Sequence, residues 1–100
     1  MIAKVIRFKI AVEDFDLSYY IAKAANDNLL RGQSLVLDAH NMRIDIEGKL
    51  EDFEEFVKIF DRFPLKDKIS NLTIDDGEIR NFFNFEMKKV RAQGAKKSKR

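Results

Sequence analysis

Glu13, Asp14 and Asp16 place three carboxylates within four residues of the stretch AVEDFDLSYYIAKAA (11–25), in a turn without glycine. Carboxylates there can cap a following helix and sit at the positive end of its dipole, each contributing ~0.3–1 kcal/mol. They can also hold a hard divalent cation, although such an ion needs more oxygen ligands than one short turn supplies. Capping is the expectation, with no metal and no cofactor. A phosphoanion is a poor guest for this turn. Like charges at close range repel it by on the order of 1 kcal/mol even under partial solvent screening.

Little else in the chain suggests bond-making chemistry. His40 is the single histidine, reads as an exposed turn residue, and has no acid–nucleophile pair beside it in sequence. Cysteine is absent, which removes disulfides, thiolate metal sites and cysteine nucleophiles together. The strong electrostatic feature is terminal. Residues 88–100 carry seven basic side chains (Lys88, Lys89, Arg91, Lys96, Lys97, Lys99 and Arg100) and no acid. Residues 1–87 carry 12 basic and 17 acidic side chains, a net of −5, so the overall +2 describes the tail rather than the body. Such a tail can be a solubilising terminus. It can also attach nonspecifically to nucleic acid, with a steep salt dependence and little sequence preference, because phosphate contacts position without specifying. A third role is self-association, the tail of one copy resting on the acidic body of another. No apolar anchor adjoins it, so a membrane partner is not expected.

The elements that position these groups follow from periodicity. KVIRFKIAV (4–12) alternates, with Ile6, Phe8, Ile10 and Val12 on one side and Val5, Arg7 and Lys9 on the other, and predicts a strand with one buried face. From Leu17 the spacing turns helical through Tyr20, Ile21, Ala24, Ala25 and Asn28, with Asp16 as N-cap and Gly32 as C-cap or chain reversal. SLVLDA and MRIDIEG predict a hairpin turning at His40–Asn41, with Met42, Ile44 and Ile46 inward. Arg43, Asp45 and Glu47 then face outward. Leu50, Phe53, Phe56, Val57 and Phe60 form a second helix face that ends before Pro64. KISNLTID predicts a fourth strand with Leu72 and Ile74 inward, and NFFNFEMKKV a fifth, at the sheet edge. Alternation cannot bury Phe82 together with Phe83 and Phe85, so Phe82 is a candidate exposed aromatic at an interaction surface.

The order β-α-β-β-α-β with a short terminal edge strand is a ferredoxin-like α+β sandwich, an antiparallel sheet with two helices on one face. One hundred residues, 45% hydrophobic and with nine phenylalanines, suit one domain over residues 1–89 followed by a flexible basic tail over 90–100. No apolar run reaches the ~20 residues of a membrane span. A cytoplasmic protein is expected. The outward positions of the first and third strands lack the aromatics on which RNA-recognition sheets stack bases.

Residues 3–88 resemble the acylphosphatase family in element order and in a series of short landmarks. These are LLRG (29–32), IDIEG (44–48), LEDFEEFVKIFDRFP (50–64) and ISNLTID (69–75). The resemblance implies a phosphate-cradling loop between the first strand and first helix, ending in a catalytic Arg, and an Asn that positions the attacking water. Counting from LLRG sets residues 11–18 against that loop, with Glu13, Asp14, Phe15 and Asp16 in its middle. Ser18 then stands at the Arg position and Val36 at the Asn position. The loop glycines that let backbone approach an anion are missing as well. Three functional readings follow. One is a non-catalytic acylphosphatase-like domain acting as a small binding or interaction protein with an unidentified protein partner. The others are an acyl-phosphate hydrolase with an atypical site, and a nonspecific nucleic-acid binder acting through the tail.

Overall fold

The computed structural model describes residues 1–11 and 15–89. Val12, Glu13, Asp14 and the whole 90–100 tail, with Arg91, Lys96, Lys97, Lys99 and Arg100, lie outside the described residues.

Strand β1 (Ile2–Ile10) leads to helix α1 (Phe15–Asp27), and β2 (Arg31–Val36) and β3 (Asn41–Gly48) form a hairpin. Helix α2 (Leu50–Val57) runs on into a 3-10 turn (Lys58–Asp61), and β4 (Ile69–Asp76) and β5 (Phe85–Lys89) complete the sheet. The strand order is β4-β1-β3-β2-β5. The neighbouring pairs β4–β1, β1–β3 and β3–β2 are antiparallel, whereas β5 runs parallel to β2, so the sheet is mixed rather than purely antiparallel.

The core lies between the sheet and the helices. Ile6, Phe8 and Ile10 of β1 and Met42, Ile44 and Ile46 of β3 are buried, as alternation requires. Ile21 and Ala25 of α1 and Phe53 and Phe56 of α2 meet them. Phe60 packs against Phe8 and Phe56, with ring centroids 5.7 and 5.8 Å apart. Tyr20 leans on this core and Tyr19 is exposed.

Several boundaries differ from the sequence reading. Helix α1 already includes Phe15, so Asp16 lies in its first turn and is not the cap. The helix ends at a left-handed Leu29 (φ 61) instead of at a glycine. There the Leu29 N–H donates to the Asn26 carbonyl at 3.0 Å and the Leu30 N–H to that of Ala25 at 2.9 Å, the two bonds of a Schellman motif. Gly32 sits inside β2 at φ 147, where a Cβ would lie 1.9 Å from the Asp45 carbonyl oxygen. It is there for close approach, not as a helix stop. Leu50 is half exposed at the start of α2 and outside the core. Leu72 and Ile74 do turn toward the helix side, since Ile74 pairs with Ile6, but β4 is a sheet edge and both stay more than a third exposed.

Candidate functional site

Two parts of the molecule merit description as sites, and they lie at different places on the sheet. The first is the end of β1 and the start of α1. Ile10 is tied to the hairpin turn by mutual bonds. Its N–H donates to the His40 carbonyl at 2.9 Å, and His40 Nδ1 lies 3.2 Å from the Ile10 carbonyl, an acceptor that selects the Nδ1–H tautomer. Asp38 organises the turn by accepting from the His40 N–H at 2.8 Å and from the Asn41 amide at 3.0 Å. The His40 N–H, with the Asn41 amide second, holds the Asp38 carboxyl below the usual aspartate range. Beside this turn is an open depression of about 600 Å³ lined by Lys9, Ala11, His40, Asn41, Lys68 and Ser70, among others.

Phe15 and Asp16 belong to α1 itself, so these two of the expected anion-loop residues are helical, with Asp16 exposed in the first turn. Ser18 faces inward from α1 and is buried, and its Oγ has no hydrogen-bond partner among the described residues. Val36, the last residue of β2, is buried among the core side chains. Neither side chain carries a charge or an amide toward solvent.

The second place is the sheet face opposite the helices. Sequence alternation assigns Val5, Asp45 and Glu47 to it as outward residues, yet all three are buried. The reason is the segment 77–84, which crosses back over this face between β4 and β5. Its Gly77 N–H donates to the Ala3 carbonyl at 3.0 Å. Glu47, 1% exposed, accepts three successive backbone N–H groups, from Arg80, Asn81 at 3.0 Å and Phe82 at 2.9 Å. Asp45, 3% exposed, accepts from Gln33 at 2.7 Å, Arg43 at 2.8 Å and Arg80 at 3.0 Å. Arg80 also lies over the Phe82 ring, 5.2 Å from its centroid. A cavity of about 170 Å³ remains between this segment and the sheet.

Phe82 is therefore half-buried, and within the FFNF stretch the exposed ring is that of its neighbour Phe83, at 93%. Lys88 and Lys89 belong to β5, where Lys88 lies 3.5 Å from Glu86. Among the described residues no cluster of His, Cys, Asp or Glu could hold a metal ion. No helix among them is long and apolar enough to cross a membrane.

No protein-family model and no curated protein matches the sequence. Solved structures do match the fold. A Bacillus subtilis acylphosphatase superposes with TM-score 0.74 at 17% identity, covering 87% of this chain and 98% of that one. An acylphosphatase from Coxiella burnetii gives 0.69 at 14% identity, covering 86% and 93%. Full-length HypF gives 0.77 at 19% identity over 88% of this chain, which spans 12% of the HypF chain. The architecture is a ferredoxin-type α+β sandwich. More narrowly, it is an acylphosphatase-like fold, as its sequence landmarks imply.

Proposed function

We propose that this chain is a non-catalytic acylphosphatase-like domain that works by binding. The observation that carries the reading is the condition of the two positions aligned with the catalytic pair. Ser18 and Val36 are both buried, uncharged side chains in the fold's interior. A phosphoanion at the start of α1 would meet neither a guanidinium nor a water-positioning amide, and Asp16 would face it in the first turn. Loss of one preorganised donor costs ~10²–10³ in rate, and here two are replaced.

The test is hydrolysis of a generic acyl phosphate by the wild-type protein, beside Ser18→Arg/Val36→Asn. The expected wild-type rate equals that of the buffer blank. A wild-type rate clearly above the blank overturns the reading and favours an atypical hydrolase, whose natural location is the depression carrying Lys9 and His40 beside the loop entry. The basic tail supports a separate role in nonspecific nucleic-acid attachment. Its signature is a log–log salt slope of several units, and a flat slope removes it.

A further inference from the structure

The two edges of the sheet are built differently. β5 is five residues long and carries Lys88 and Lys89, charges of the kind that discourage edge-to-edge pairing. β4 is irregular where it passes Phe8, with Asn71 left-handed at φ 56. Beyond that irregularity Leu72–Asp76 run on without proline or lysine. The residues of this stretch that face the helix side, Leu72 and Ile74, are 37% and 41% exposed, because α1 lies over β2 and β5 and α2 over β3. An extended edge with an uncovered apolar side is a template for another strand.

Antiparallel pairing of this strand with itself has one favourable register. With Thr73 on the two-fold axis, Leu72 of each copy opposes Ile74 of the other, and opposed residues share a face, so four apolar side chains meet. The regular pairing covers Leu72–Ile74, and Asp75 and Asp76 then run beside the irregular Ser70–Asn71 end of the other strand, which carries no acid. The Lys66 and Lys68 end of one strand comes beside the Asp75 and Asp76 end of the other. A slip of one residue sets Leu72 against Asp75 and loses the apolar contact. We infer that β4 is a self-association edge, and that its occupant is a second copy of this chain paired antiparallel about Thr73. The interface is small, so the dimer is weak and concentration-dependent.

Absence of cysteine makes the test unambiguous. In the proposed dimer the two Thr73 Cα atoms lie ~4.5–5.5 Å apart, within the ~4.4–6.8 Å that a disulfide spans. The two Ser70 Cα atoms are offset by six residues, or ~20 Å. Full-length Thr73→Cys is therefore expected to cross-link under mild oxidation at least about tenfold faster than full-length Ser70→Cys. Sedimentation of the wild type should show a mass rising with concentration toward the dimer. Ile74→Lys, a change at an exposed position, should raise the apparent dissociation constant by about tenfold or more while leaving the circular dichroism spectrum unchanged. Equal cross-linking rates at 73 and 70, or a wild type monomeric throughout, overturns the inference. So does association that is lost when Lys96, Lys97, Lys99 and Arg100 are replaced by alanine in the full chain, which assigns it to the basic tail instead. Should Ile74→Lys fail to fold, the two cysteine variants still decide the question.

Discussion

Replacing Glu47 should detach the segment 77–84 from the sheet at a cost that is large for one side chain. Its carboxylate is almost fully buried and receives the N–H groups of Arg80, Asn81 and Phe82. A hydrogen bond to a charged group contributes ~1.5–3 kcal/mol, and leaving a donor buried without a partner costs ~1–3 kcal/mol. The three are not additive, because the donors regain water once the segment lifts. For Glu47→Ala we expect a loss of about 3–5 kcal/mol, a large part of the ~5–15 kcal/mol that holds a domain folded. Glu47→Gln keeps one acceptor oxygen but turns an NH2 group toward backbone donors, and should lose about 2–3 kcal/mol. Urea unfolding measures the totals, and hydrogen exchange at Arg80, Asn81 and Phe82 locates them. A Glu47→Ala protein that loses under ~1 kcal/mol, with those three amides as protected as before, would refute the reasoning.

Three further changes probe the local geometry. Leu29→Gly should stabilise by about 0.5–1 kcal/mol in thermal unfolding, since a left-handed leucine carries ~1–2 kcal/mol of steric cost, partly offset by glycine's greater unfolded-state entropy. Leu29 is 79% exposed, so little burial is lost; a destabilised variant contradicts the expectation. Gly32→Ala should cost more than about 3 kcal/mol or prevent folding, because its methyl would lie 1.9 Å from a backbone oxygen; a midpoint near wild type refutes this. Asp38, held low by the His40 N–H and the Asn41 amide, should titrate below the ordinary aspartate range in a carboxyl-resolved NMR titration. A depressed folded value means that its contribution to stability is complete above the unfolded-state pKa and is lost as the pH falls through the folded one. A normal or raised value contradicts the turn geometry.

Periodicity made most of the scaffold legible. Ile6, Phe8 and Ile10, then Met42, Ile44 and Ile46, then Phe53, Phe56 and Phe60, all lie where their spacing puts them, because each pattern records which face of one element is buried. What such a pattern omits is whether something later in the chain covers the other face. Arg43-x-Asp45-x-Glu47 reads as a solvated row, and the burial of its two acids follows from a segment some 35 residues downstream. Residues 81–84 read as the start of the fifth strand, yet β5 begins only at Phe85, which leaves a connection over 77–84 that is longer than a tight turn needs. Leu72 and Ile74 show the reverse limit. Their alternation identified the right side of β4, but exposure there depends on how far the helices reach across the sheet. At Gly32, proximity to the helix end suggested a cap, while the real constraint is the neighbouring β3 backbone. Ser18 and Val36 were singled out by counting along a family pattern, and what the structure adds is that both side chains are buried, which no count along the chain could tell.

The proposed non-catalytic role requires that the start of α1 be unable to hold a phosphoanion. Hydrolysis assays are vulnerable to traces of an active host enzyme, whereas residue-resolved binding is not. Titration of the 15N-labelled full chain with inorganic phosphate, followed at the amides of residues 11–18, is the direct measurement. The account predicts no saturable shifts there up to tens of millimolar, a range of Kd on the order of 10 mM or weaker. Saturating shifts at these amides at low millimolar phosphate would contradict it, and would restore the loop as an anion site despite its acids.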